Sequence, residues 1–122
     1  AEIEKGNQEP VIKVGDLSAY RDFTFVADVV AAYVALLEKD VESVVYNICS
    51  GKARKMEEIL NTLVSLAKVR IQVEVDKSRL RPSEVPFFVG NCYKLKKATN
   101  WQPKYDFKQG MEEVLEYWRR KV

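Results

Sequence analysis

Val44-Val45-Tyr46-Asn47-Ile48-Cys49 is a β-prone run, almost unbroken in its apolar character and closed by Ser50-Gly51. A half-exposed strand alternates polar and apolar residues, whereas a run without alternation suits a strand buried on both faces, as in parallel sheets. Upstream, Val26, Val29, Val30, Tyr33, Leu36 and Leu37 recur at helical spacing as far as Lys39, so a helix precedes this strand. Together they read as a piece of α/β architecture. With 122 residues, 47% apolar and 31% charged, the chain can build one core at most.

Other segments are punctuated in the same way. Ala1-Glu2-Ile3-Glu4-Lys5-Gly6 reads as the last turn of a helix with Gly6 as its left-handed stop, which implies that the helix body lies upstream and that residues 1–122 are a single fragment. Glu9 to Val14 is an edge-strand candidate with Pro10 at its entrance and Gly15-Asp16 as a turn. Met56, Ile59, Leu60, Leu63 and Leu66 form one helical stripe, and Ile71, Val73 and Val75 alternate with Gln72 and Glu74 as a half-exposed strand. Two prolines and a glycine make residues 79–91 a loop, with at most a short extended piece at Phe87-Phe88-Val89. Tyr93 to Thr99 is a short helix stopped by Asn100, and a last helix starts near Asp106 with Met111, Val114, Leu115 and Trp118 on one face.

Composition narrows the chemistry. The chain has no histidine and two cysteines, which removes the usual zinc ligand sets and every imidazole-dependent nucleophile. Cys49 and Cys92, far apart and without a signal peptide, are expected to be reduced thiols in a cytoplasmic protein. A net charge of +2 gives no strong field toward nucleic acid or a membrane, and neither is expected as a partner. The basic clusters near Lys52, Lys94 and Arg119 lack an aromatic stacking platform and read as charged helix ends.

Four segments then occur in one order: Arg21-Asp22-Phe23-Thr24 running into Val26-Ala27-Asp28-Val29-Val30; Val45 to Gly51; Arg81-Pro82-Ser83-Glu84; and Lys94-Leu95 leading to Trp101-Gln102-Pro103. The set resembles the C-terminal half of extended short-chain dehydrogenases of the NAD-dependent epimerase/dehydratase family, which act on nucleotide sugars. Arg81 to Pro86 and Gly15-Asp16-Leu17 are most similar to GDP-mannose 4,6-dehydratase and GDP-4-keto-6-deoxymannose reductase. Two positions depart from the pattern: Lys55 replaces a helix-capping Ser or Thr, and Asn100 replaces a Gly.

The resemblance implies an α/β fold that is the C-terminal, substrate-binding portion of an extended Rossmann-type enzyme, without the Rossmann core that binds NADP. It further implies that residues 26–50 complete the sheet of that missing N-terminal domain, so that the isolated chain self-associates. Family members grip the substrate diphosphate with arginines matched by Arg21 and Arg81, and bind ribose hydroxyls with the acid matched by Glu84. The residue types suit those tasks, because a guanidinium presents a planar fork of donors to two phosphate oxygens. Read without the resemblance, Arg81 and Glu84 are a solvated ion pair and Arg21-Asp22 caps the following helix. The family's catalytic Tyr-x-x-x-Lys pair is missing; Tyr93 and Lys97 have the spacing but follow the Arg81 loop, and read as a solvated helix face. The chain is therefore expected to be non-catalytic alone, although its parent would be a lyase or an NADP-dependent reductase. The competing reading is a stand-alone nucleotide-sensing or protein-interaction module.

Overall fold

The computed structural model describes residues 1–81 and 85–122. The first six residues behave as their sequence requires. Gly6 adopts φ +77°, its N–H donates to the Ile3 carbonyl at 3.0 Å, and the Asn7 N–H donates to the Glu2 carbonyl at 3.0 Å. These two bonds form the crossed pattern that closes a helix on a left-handed residue.

β1 (Val11–Val14) pairs in parallel with β4 (Gln72–Val75), Val11 opposite Gln72 and Val14 opposite Val75. Pro10, which has no N–H to offer, uses its carbonyl to accept from Gln72 at the ladder's start, 2.8 Å away. Val73 and Val75 are exposed, so the half-buried strand expected there is formed but not covered. β2 (Tyr20–Asp22) runs antiparallel to β3 (Ala53–Lys55). Neither was evident in the sequence, because three-residue strands carry no usable periodicity.

α1 (Val26–Glu38), α2 (Met56–Ser65), α3 (Tyr93–Thr99) and α4 (Phe107–Lys121) lie where the apolar spacing and stop signals predict. Asn100 takes the left-handed conformation at φ 59° and sends its N–H back to the Lys96 carbonyl. Asp106 and Gln109 form a reciprocal capping box at the start of α4. Lys55 precedes α2 with no side-chain cap, as its departure from the family pattern implies.

One sequence expectation needs correction. The Val44–Cys49 run forms no ladder among the described residues, and Val45 is 83% exposed rather than buried on both faces. A strand exists only against a partner backbone; here side chains hold the segment instead, Lys94 Nζ donating to the Val45 carbonyl at 3.3 Å and Asn47 Nδ2 to the Asn91 carbonyl at 3.4 Å. On α1 the large apolar side chains Val26, Val30, Tyr33 and Leu37 face outward, while Asp28 and Ala32 are buried, with Ala31, Ala35 and Leu36 half-buried beside them. The core on which α1 rests consists of Ala32, Cys49, Cys92, Leu95 and Trp101.

Asp28, only 2% exposed, locks that core to the chain after α3. Its carboxylate accepts the N–H of Lys104 at 2.8 Å and of Tyr105 at 3.2 Å, and its carbonyl accepts the Trp101 indole N–H at 3.0 Å. A buried carboxylate is tolerable only with such donors around it.

Candidate functional site

β2 is the organising element. Alternation along a strand turns Tyr20 and Asp22 to one face and Arg21 to the other. The Arg21 guanidinium, half-buried, donates to the Tyr20 carbonyl at 2.7 Å. β3 lies along one edge of β2, and the chain returning from the 79–91 loop lies along the other: the Tyr20 N–H donates to the Pro86 carbonyl at 2.8 Å, and the Phe88 N–H to the Tyr20 carbonyl at 3.1 Å. The expected extended piece at Phe87-Phe88 is therefore real, and it is a parallel bridge to Tyr20. The Tyr20 and Phe87 rings pack at 5.7 Å.

One residue further on, the Asp22 carboxylate accepts four donors. Oδ1 receives the Ser50 N–H at 2.9 Å and the Ser50 hydroxyl at 2.5 Å, and Oδ2 receives the N–H of Gly51 at 2.9 Å and of Gly90 at 3.2 Å. Burial works to raise the Asp22 carboxyl pKa, yet the Ser50 hydroxyl and the three amides outweigh it and hold the group below its ordinary value. The reading of Asp22 as a cap for α1 is thereby corrected: the residue preceding that helix is Phe25, and no side chain caps it. The available sequence signal was limited to glycines 51 and 90, whose bare amides admit close approach. A Cβ on Gly90 would stand 2.5 Å from the Cys49 sulfur.

Of the three anticipated ligand-binding residues, Arg21 lies on β2, Arg81 is exposed where the loop sets out, and Glu84 falls outside the described residues. Arg81 follows a 3-10 turn, Lys77–Arg79, capped by Asp76, whose carboxylate accepts the Ser78 N–H at 2.9 Å and hydroxyl at 2.6 Å. The backbone of Arg79 presses against Gly15 so closely that a Cβ there would collide with its carbonyl. The loop is thus anchored at its departure by Gly15 and Asp76 and at its return by Tyr20 and Asp22.

A hollow of about 480 Å³ opens between the start of α1 and the start of α4, lined among others by Phe23, Lys52, Arg54, Lys96, Tyr105 and Phe107, and by neither Arg21 nor Arg81. Its Arg54 is engaged, paired with Glu58 and stacked over the Phe107 ring at 4.1 Å. Tyr93, 68% exposed, and Lys97 lie on an exposed stretch of α3. Cys49 and Cys92 are free and buried, and burial, then the neighbouring Cys92 thiol, pushes the Cys49 pKa up to about 11, which makes it a poor nucleophile.

A dinucleotide needs a glycine-rich turn between a strand and the helix that follows it. β2 enters α1 through Phe23, Thr24 and Phe25, and β3 joins α2 directly. Neither of these two strand-to-helix connections is glycine-rich.

A family profile described as GDP-mannose 4,6 dehydratase matches residues 1–114. This chain belongs to the GDP-mannose 4,6-dehydratase family. Among curated relatives of that family's chain, GDP-6-deoxy-D-mannose reductase of Pseudomonas aeruginosa is 34% identical over 122 residues, covering 100% of this chain and 40% of the reductase. Human GDP-mannose 4,6 dehydratase is 27% identical over 134 residues, covering 94% of this chain and 36% of the human enzyme. The solved structure of RMD from Pseudomonas aeruginosa complexed with NADPH superposes with a TM-score of 0.90 at 33% identity, over 99% of this chain and 40% of that one. The chain therefore spans about two fifths of the length of the relatives it matches, and its mixed α/β fold agrees with a portion of an extended short-chain dehydrogenase.

Proposed function

We propose that this chain holds the nucleotide end of a nucleotide sugar, a GDP-sugar by likeness to its relatives, within an NADP-dependent sugar-nucleotide dehydratase, reductase or epimerase. Arg21 and Arg81 grip the diphosphate, Glu84 accepts from the ribose hydroxyls, and the hexose faces a nicotinamide held by the remainder of the enzyme. The observation that carries this reading is the stapling of the 86–90 segment to β2 on both sides of Arg21, at Tyr20 and at Asp22. The returning arm of the loop thus lies beside the strand that bears Arg21.

In the complete enzyme, the outward face of α1 and the unpaired backbone of Val44–Cys49 would pack on the sheet of the remaining domain. Uncovered apolar side chains beside unladdered, β-prone backbone are what an interrupted sheet edge leaves behind. This chain by itself performs no hydride transfer.

Titration of the chain with GDP, followed by calorimetry or amide chemical shifts, tests the assignment. Weak saturable binding is expected, and Arg81→Ala should reduce it roughly ten- to a hundredfold, the loss of one charge-assisted contact of about 1.5 to 3 kcal/mol. NADPH should not bind. Saturable NADPH binding, or turnover by this chain, would overturn the division of labour, and GDP binding indifferent to Arg21→Ala and Arg81→Ala would overturn the site.

A further inference from the structure

We propose that Cys49 and Cys92 are a modification site, a buried thiol pair that low-molecular-weight disulfides convert into one intramolecular disulfide, clasping the 44–51 segment to the start of α3. The pair lies in the core of the chain, and the proposal is independent of the nucleotide-sugar reading.

These are the chain's two cysteines, both are free and buried, and both belong to the core cluster on which α1 rests. The backbone brings them together. Segments 47–51 and 90–92 lie side by side, tied at one end by Asn47 Nδ2 to the Asn91 carbonyl at 3.4 Å and at the other by Asp22, whose Oδ2 accepts from Gly51 at 2.9 Å and Gly90 at 3.2 Å. Cys49 sits between these ties and fills the space beside Gly90, where an added Cβ would stand 2.5 Å from its Sγ and 2.6 Å from its Cβ. Cys92 comes two residues after Gly90, immediately before α3. The thiols also act on one another, since the Cys49 pKa is raised by burial first and by the Cys92 thiol next. At rest this leaves little thiolate, so the pair reacts when its surroundings open. The 44–49 run has no ladder among the described residues, and chain held by few backbone bonds is the first to open. One cysteine thiolate then attacks a sulfur of the small disulfide, whose S–S bond breaks and releases one thiolate; the other cysteine thiolate attacks the protein sulfur of the mixed disulfide and releases the second. Two cysteine thiols are oxidised, the small disulfide is reduced to two thiols, and the two cysteine protons pass to them.

The experiment equilibrates the full wild-type chain in mixtures of reduced and oxidised glutathione, starting from the dithiol and from the disulfide, in the folded state and in urea. Remaining thiols are alkylated and the intact mass is read. Because the chain holds only two cysteines, a monomer that has lost two hydrogens carries the bond between residues 49 and 92. A fold that already holds the sulfurs together should favour that bond over the denatured chain by roughly tenfold or more, and amide exchange across residues 44–51 should slow by about the same factor in the oxidised chain. An equilibrium constant no larger than in urea overturns the proposal, because the core then does not accept the bond. Glutathione adducts or inter-chain dimers in place of the internal bond overturn it too, as does a folded dithiol that oxidised glutathione never converts. Unchanged amide exchange once the bond has formed overturns the clasp. The wild-type chain decides every arm, so the outcome does not depend on a variant that has to fold.

Discussion

Arg119 and Glu4 stand 115 positions apart and join through two hydrogen bonds. The Arg119 guanidinium grips both Glu4 oxygens at 2.6 and 2.5 Å, donates to the Leu66 carbonyl at 3.0 Å and pairs with Glu116 at 2.6 Å, so that one side chain joins the first turn, the end of α2 and α4. The hydrogen bonds from Arg119, aided by the Lys68 N–H, lower the Glu4 pKa from 4.5 to about 2 despite burial. A carboxyl whose folded-state pKa is depressed contributes stability that is complete above its unfolded value and disappears as pH falls through its folded one. Stability should therefore drop between about pH 4.5 and pH 2 as this pair is lost, and Glu4→Gln should remove about 1 to 3 kcal/mol at neutral pH while flattening that acid limb, as read by urea denaturation across pH. A Glu4→Gln protein with an unchanged acid limb would show that the pair is idle. Nothing in the sequence connects these positions, because such pairing is set by how the helices pack. Arg21, Arg81 and Glu84 were nameable only because their motif order matched a family; the Asp22 hub, where one strand meets two glycine turns, depends on contacts 28 and 68 positions away that no local pattern encodes.

The helices and the strands β1 and β4 were legible, β2 and β3 were not, and the difference is one of range. α2 and α4 announce themselves through apolar spacing, and α3 and α4 through their stop and capping residues, all features contained within one element. β2 and β3 are three residues each and exist because chain 31 or more positions away lies alongside. The Val44–Cys49 run shows the converse, strand composition without a partner and hence without a strand. Local signals can be tested at the ends they control. Asn100 holds α3 closed at φ 59°, a conformation that costs an ordinary L-residue about 1 to 2 kcal/mol. Asn100→Ala should lower stability by about 1 kcal/mol, and Asn100→Gly should match or slightly exceed the wild type, in thermal melts. An alanine variant as stable as the wild type would mean that Trp101 and Thr99, through the Trp101 N–H to the Thr99 hydroxyl at 3.1 Å, hold the turn without help from residue 100.

At the scale of the molecule, the unusual feature is that the best apolar side chains of α1 point away from the core. Leu37 is 86% exposed, and Val26, Val30 and Tyr33 continue its stripe, while the buried face of the same helix is built from alanines and Asp28. A helix amphipathic in this sense is shaped to be covered on two sides, by small residues where α3 and Trp101 approach closely and by large ones where a second surface should lie. Val44 and Val45, also exposed, extend the patch onto the segment whose backbone finds no ladder. Each large aliphatic side chain removed from water contributes about 1.5 to 3 kcal/mol, so water-exposed patches of this kind drive association. The chain alone should self-associate, with a concentration-dependent sedimentation coefficient. The double substitution Val30→Lys with Leu37→Lys should weaken that association by on the order of a hundredfold, since two such side chains are lost from the contact, while α1 keeps its alanine face and its fold. If instead the wild type sediments as a single monomeric species at all concentrations and melts at high temperature, the outward stripe is tolerated as ordinary surface. The assignment of residues 26–50 to the sheet of a larger enzyme would then lose its physical support, even though the family membership would stand.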